Sequence, residues 1–433
     1  MDFEQTSVES VSATATATAH SLGVPLHLQE FAPGADAAAA RLKNIDPARY
    51  GRTRNALDGA VTGLSPYLTH GILGLKDAAA SVNQRHPLGF DDKLVFEFAW
   101  REFFQHVWGG AAHGGDAILD DMHGSLPSPG AYAGQVPQDI REGRTGVPAI
   151  DAAVRVLYAT GYLHNHARMW LASYVVHLRK VHWRAGADWL YGHLIDGDLA
   201  SNHLSWQWVA GTFSSKPYLF NADNVAKFAP ASAREAWASP GTVIDQSYEA
   251  LDAMARSRSA ARPEGGQHAG VTEPALQSTI SASLMPPAHV ERAEAAIESI
   301  SNRADKAVEL IHPWNLSQRS GSASDDALRL GIIHLPAHAA WPWSERRWRF
   351  VLEAMQQVTD AIWIGDLRQL DLSGASRISA EATQFPGYRE ALASSAVLTQ
   401  PPRLFPEPAM ACRSFTKFYG RVQRDVGQFA DLL

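Results

Sequence analysis

Within fourteen residues, from Asp196 to Val209, the chain carries two carboxylates, an amide and two tryptophans beside glycine and serine. Charged residues are seldom buried unless paired, so Asp196 and Asp198 ask for partners. Trp206 and Trp208 are two apart, and on a helix their side chains diverge by about 200°. One indole then faces inward while the other lines a cavity. Polar groups along one edge with flat aromatics beside them suit a large planar ligand. The competing reading, a well-packed helix with incidental tryptophans, leaves the carboxylates without a purpose.

Two further groups of residues have chemistry in their spacing. Thr62 and Ser65 stand just before Pro66. Hydroxyls and free N–H groups at a helix start make an anion site suited to a pyrophosphate, though an ordinary Ser N-cap with Pro at the first helical position has the same look. Glu97 and Trp100 are spaced i, i+3 and share a helix face. A protonated Glu97 there can donate a hydrogen bond, whereas pairing with Arg101 would make it a plain surface ion pair.

The composition limits what such a site serves. The chain has 433 residues, 45% hydrophobic and 19% charged, which leads to an expectation of two domains. Cys412 is its one cysteine, which excludes an internal disulfide and any multi-cysteine zinc or iron–sulfur site. We expect no bound metal and a reducing, cytoplasmic setting. No apolar run approaches the roughly 20 residues of a membrane span, and MDFEQTSVES lacks the features of a signal peptide. The net charge of −7 argues against broad attraction to nucleic acid, while a local basic groove stays open.

The positioning elements follow from periodicity. Residues 1–29 begin Ser/Thr/Ala-rich and predict a disordered segment. Residues 30–230 predict an all-helical domain, with helices over Ala37–Leu42, Tyr67–Val82, Asp91–Trp108, Pro148–Thr160, Asn165–Val181 and Ala185–His193. Residues 231–300 turn to Ser, Ala, Gly, Gln and Pro, a linker with a short helix at Gln246–Arg256. Helical spacing returns over His289–Ile311. Residues 301–433 predict a small α/β domain with parallel strands: strands at Leu328–Leu335, Ala361–Gly365 and, more weakly, Ala396–Thr399, and a helix at Ser344–Val358. No glycine-rich phosphate loop and no internal repeat is present.

Four segments, TGLSPYL (62–68), FEFAWREFFQH (96–106), GRTGVPAIDAAVRVLYATGYLHNHARM (143–169) and VHWRAGADWLYGHLIDGDLASNHLSWQW (181–208), resemble the FAD-binding domain of the DNA photolyase and cryptochrome family, in that family's order. The resemblance implies a mainly α protein, an all-helical FAD-binding domain followed by a small α/β domain. It assigns Thr62 and Ser65 to the flavin phosphates. Asn165, Arg168, Asp196, Asp198 and Asn202 fall along the polar edge of the isoalloxazine, with Arg168 paired to Asp196 and the Asn202 amide against flavin N5. A turn-capping role is the competing reading of Asn202. Glu97, Trp100, Arg101, Met169 and Trp208 match the substrate pocket. Trp206 and Trp183 match the first two members of a tryptophan electron-transfer chain. The third would fall near Gly130, where Tyr132 and Tyr162 are the nearest aromatics.

The departures from the family pattern are as informative. His166 stands where repair enzymes often have an Arg against the DNA backbone. The segment after Trp208 is short, with Lys216 its one basic residue before Lys227. The family's α/β antenna domain is absent before residue 30, while SERRWRFVLEAM (344–355) and RSFTKFYGRVQR (413–424) resemble pieces of it, which implies a circularly permuted order. The resemblance leaves the antenna chromophore unidentified. The expected function is a lyase, deoxyribodipyrimidine photolyase-like, that uses FAD and blue light to split cyclobutane pyrimidine dimers in damaged DNA, single strands favoured over duplex. The alternatives are a cryptochrome-like photoreceptor without repair and a flavoprotein acting on a small molecule.

Overall fold

The computed structural model describes residues 13–110, 116–265, 268–302, 306–318 and 327–433. Its helices follow the spacing of the apolar residues. Lys93–Gly109 (α2, with α1 the five-residue Ser65–Thr69) buries Leu94, Val95, Phe98, Phe103 and Val107, which spread over more than half of its circumference. Asn165–Ser173 (α3) runs into a single π turn over Tyr174–Leu178 and stops short of the predicted Val181. Trp183–His193 (α4) and Leu199–Ala210 (α5) follow. Asp198 caps the start of α5, and Gly211 at φ +81° ends it in the left-handed conformation. Helix α5 is buried on nearly every side and packs against α2, α3 and α4, so whatever it carries is held rigidly.

Several expectations need correction. The predicted helix over Tyr67–Val82 breaks at Gly71, which has φ +63°, and resumes as Leu75–Asn83. A Cβ on Gly71 would lie 2.4 Å from the Trp314 carbonyl, so close approach of the other layer requires the glycine. Residues 13–21, expected to be disordered, are helical, because Ala19 and Leu22 find a packing surface and the Trp237 indole donates to the Leu22 carbonyl at 3.0 Å. Residues 1–12 lie outside the described residues. Much of the expected linker is also packed, since Trp237 and Leu251 join the helical core.

The second layer is a five-stranded parallel sheet of Ala307–Ile311 (β1), Leu328–His334 (β2), Ala361–Gly365 (β3), Arg377–Glu381 (β4) and Val397–Thr399 (β5). Its spatial order is β3-β2-β1-β4-β5, with Leu310 opposite Leu330 and Leu330 opposite Ala361. Every residue of β2 is buried, as a central parallel strand with both faces covered must be. Pro287–Asn302 (α6) packs on β3, and Glu345–Val358 (α7) on β2 and β3. The helical spacing read through Ile311 therefore ends at Asn302, and β4 went unpredicted.

This layer docks behind the Asp196–Asp198 turn. The buried Arg347 guanidinium donates to the carbonyls of Tyr191 at 3.1 Å and Gly197 at 2.5 Å. The two ring nitrogens of His70 face the carbonyls of Pro313 at 2.7 Å and Ile195 at 2.9 Å. Only an imidazolium satisfies both carbonyls, while burial and nearby Arg347 push the ring down to about 4. The penalty of a fully buried cation decides, and we take the ring as neutral.

Past the sheet the chain returns to the helices. Tyr388–Ser395 (α8) covers the sheet beside β5, but Phe415–Val426 (α9) lays Phe415, Phe418, Tyr419 and Val422 against α2. The segment 413–424, expected within the α/β domain, thus packs with the helical layer because its apolar stripe matches the aromatic face of α2. Glu102 fixes the return, accepting from Leu404 N at 2.8 Å and Phe405 N at 2.9 Å. Among the described residues no helix is long and apolar enough to cross a membrane, and no group of three or more His, Cys, Asp or Glu is placed to hold a metal ion.

Candidate functional site

Asp196 is the hub. Its side chain is 3% exposed, and a charge so placed needs several partners. Arg168 Nη2 donates to both its oxygens, at 2.9 and 2.8 Å, and Ser65 Oγ donates to Oδ2 at 2.6 Å. Arg168 is held in turn by Nε on the Leu163 carbonyl at 2.6 Å and lies 5.2 Å from the Tyr162 ring centroid. The structure thus brings Ser65, Arg168 and Asp196 together from α1, α3 and the turn before α5.

The remaining polar residues are more modestly employed. Asp198 caps α5 through Ser201 N at 2.9 Å and accepts from Gln105 Nε2 at 3.0 Å. Asn202 donates from Nδ2 to the Ala187 carbonyl at 2.9 Å, and its Oδ1 accepts nothing among the described residues. Asn165 is exposed, with Nδ2 3.9 Å from Met169 Sδ. Thr62 Oγ1 accepts from Leu64 N at 3.3 Å, and Ser65 is the first helical residue rather than the cap, which is Leu64. The Ser N-cap reading is thereby corrected: the hydroxyl is committed to Asp196.

These residues fit FAD. That group brings an anionic pyrophosphate and a flat ring with donors and acceptors along one edge. The Thr62–Ser65 loop turns at Gly63, φ +62°, where a Cβ would lie 2.6 Å from Arg41 Nη1, so a guanidinium stands against the loop. The Arg168–Asp196 pair and the open oxygen of Asn202 would offer the edge of such a ring a charge-balanced polar wall. Arg41 was not singled out from the sequence, because nothing in its local spacing links it to residue 63.

The expected substrate residues lie along α2 (Glu97, Trp100, Arg101), α3 (Met169) and α5 (Trp208). Glu97 does not pair with Arg101. It accepts from Arg54 Nη1 at 2.7 Å, and burial raises its carboxyl above the usual carboxylate range against the pull of Arg54 and Lys93. Arg54, 43 residues away in sequence, is a partner that spacing on one helix could not reveal. Arg101 Nη2 reaches Thr69 Oγ1 at 3.4 Å. Trp100 is half-buried, one face stacked on Phe415 at a 4.1 Å centroid distance. Trp208 is half-buried beside Tyr218 at 5.9 Å. His166 is no candidate for a phosphate contact. It is buried on Phe228 at 4.5 Å, faces Asn224 Oδ1 at 3.3 Å, and burial lowers it to about 4.

Trp206 and Trp183 are each 2% exposed in one core. Trp183 Nε1 donates to Asp121 Oδ1 at 2.5 Å. Its ring neighbours are His203 at 6.4 Å and His182 at 5.6 Å, and His182 is 6.3 Å from Tyr132. Of the two nearest tyrosines, Tyr132 is joined to Trp183 through His182, while Tyr162 stands beside Phe31 and Arg168.

Residues 94–264 match the family described as the FAD binding domain of DNA photolyase. The chain is 34% identical over 216 residues to a deoxyribodipyrimidine photo-lyase of Synechococcus, covering 45% of this chain and 43% of the relative. It is 37% identical over 183 residues to one of Thermus thermophilus, covering 41% and 43%. To a cryptochrome DASH of Idiomarina loihiensis it is 34% identical over 170 residues, covering 37% of each. The chain spans less than half the length of these relatives. Among solved structures, a class III photolyase of Agrobacterium tumefaciens aligns with a TM-score of 0.42 at 26% identity, covering 54% of this chain and 53% of that one.

Proposed function

On the premise that residues 94–264 belong to the FAD-binding domain of the DNA photolyase and cryptochrome family, we propose that this chain is a light-dependent lyase that splits cyclobutane pyrimidine dimers in DNA, single strands before duplex. FAD, when bound and reduced, supplies under blue light the electron that opens the cyclobutane ring and regains it afterwards. Arg168, Asp196, Ser65 and Asn202 bind and orient that group, Thr62 and Arg41 stand at its phosphates, and Asn165 and Asp198 set the rim and the helix start. Trp183 and Trp206 relay electrons inward.

The observation that carries the repair reading is the placement of Glu97, with its side chain 30% exposed, on the same face of α2 as Trp100. A flipped dimer needs flat apolar walls and a donor for a base carbonyl. Trp100, Trp208 and Met169 are the walls, Glu97 donates when its carboxyl is protonated, and Arg101 and Lys216 are cations for the phosphates. With a net charge of −7 and His166 buried, few phosphate contacts offset the cost of extrusion from duplex, which is about a few kcal/mol and smaller in single strands. The test is to illuminate the reduced, FAD-loaded protein with dimer-containing single-stranded and duplex DNA and count the surviving dimers. Dimers that persist in both end the repair reading. The photoreceptor reading is the second choice, favoured by one observation: Phe415 covers a face of Trp100.

A further inference from the structure

Trp183 opens α4 with its indole buried, and its one polar atom, Nε1, donates to Asp121 Oδ1 at 2.5 Å. The same carboxylate oxygen stands 3.9 Å from His182 Nε2. His182 Nδ1 accepts from Arg184 N at 3.3 Å, so the neutral ring carries its proton on Nε2, aimed at Asp121. Asp121 and His182 are 25% and 32% exposed, giving the buried indole a polar path to water. On the inner side, Gly186 lies three residues beyond Trp183, and a Cβ there would come within 2.3 Å of Trp206 Cζ3. Trp206 therefore packs on bare backbone one helical turn from Trp183.

We propose that Asp121 is the proton acceptor of Trp183 when light withdraws an electron from that indole. The proposal rests on the relay named under Proposed function. One electron leaves Trp183 and passes inward through Trp206 to the bound FAD, which is the oxidant. The Nε1–H bond breaks, its electron pair stays on nitrogen, and the proton forms Oδ1–H on Asp121. Trp183 is then a neutral radical and Asp121 a neutral acid. A one-electron donor from solution, such as a thiol, later refills Trp183 while Asp121 returns the proton. The driving force is acidity, since an indole that has lost an electron is a far stronger acid than indole itself. Moving the positive charge onto a carboxylate also removes, in a low-dielectric core, the attraction that would draw the electron back. Asp121 touches no group of the flavin site, so its role is to hold the separated state.

The experiment is time-resolved absorption of the FAD-loaded protein after a blue pulse, in H2O and in D2O. The wild type gives the spectrum of a neutral tryptophan radical, with a rise slowed by deuterium. Asp121→Asn keeps an acceptor oxygen but takes no proton; its radical stays cationic, loses the isotope effect and decays about tenfold faster. Asp121→Glu restores the neutral radical. A neutral radical with an unchanged isotope effect in Asp121→Asn overturns the proposal. Trp183→Phe abolishes the signal, and an unchanged signal in that variant, or a protein that takes up no FAD, overturns the relay reading and this proposal with it. A flavin-free readout accompanies these: the indole N–H proton resonance of Trp183, assigned by its loss in Trp183→Phe, lies downfield and moves upfield in Asp121→Asn. A resonance that does not move removes the bond on which the proposal stands.

Discussion

The indole of Trp100 lies parallel to the ring of Phe415, with centroids 4.1 Å apart and an interplanar angle of 5°. One ring comes from the helix of the candidate substrate pocket, the other from the last long helix of the chain. Substituting Phe415→Ala removes the stack and a core side chain, so unfolding stability should fall by about 3 kcal/mol, read by denaturant titration. If the stacked face is the one a base would use, the variant binds dimer-containing single strands more tightly than wild type. Weaker binding would mean that this helix supports the pocket rather than occludes it.

Glu97 gives a pH test. Burial raises its carboxyl, so the protonated donor form persists at higher pH than for an ordinary glutamic acid and disappears as pH rises through the raised value. Repair by the wild type should decline across that rise, while Glu97→Gln, always a donor, should give a flat profile. Matching profiles for the two proteins would remove Glu97 from the chemistry.

Asp196→Asn leaves Arg168 without its charge partner. Arg168 is 22% exposed, so solvent screens part of the loss, and we expect a stability cost of about 2–3 kcal/mol with a clear fall in flavin content of the purified protein. Absorbance of released FAD per mole of protein measures it. Unchanged occupancy would place the flavin elsewhere.

Trp206→Phe should suppress blue-light reduction of bound FAD by an external thiol, followed by loss of the oxidised-flavin absorption. Reduction as fast as in the wild type would mean that electrons enter by another route.

Acid should unfold the protein early. His166 and His177 are buried, and desolvation lowers both from 6.5 to about 4. Between those values the unfolded chain binds more protons than the folded one. Their contribution is therefore complete above pH 6.5 and is lost as pH falls toward 4, on the order of 3 kcal/mol for each ring. Melting temperature against pH reads this, and His177→Gln should flatten the slope.

What the sequence made legible was local. The helical spacing of apolar residues along Lys93–Gly109 and Pro148–Thr160 sets helices whose hydrogen bonds close a few residues away, and the Arg168–Asp196 pair joined two recognisable motifs. Two kinds of information were out of reach. Short parallel strands such as Arg377–Glu381 carry no alternation of their own, because neighbouring strands and covering helices decide their burial. Partners supplied from afar, Arg54 for Glu97, Asp121 for Trp183 and Phe415 for Trp100, leave no periodic trace. Asp198 shows the converse: a carboxylate in a suggestive motif whose visible work is capping a helix.

The return of the chain onto α2 has a bearing on biosynthesis. Phe96, Trp100 and Phe103 leave the ribosome some three hundred residues before Phe415 and Phe418 arrive to cover them, a delay on the order of half a minute at typical elongation speeds. During that interval the nascent helical layer presents an aromatic ridge to solvent or to chaperones. Completion of the helical layer must therefore wait for Phe415–Val426, and premature termination anywhere in the sheet region would release a polypeptide with this aromatic ridge bare.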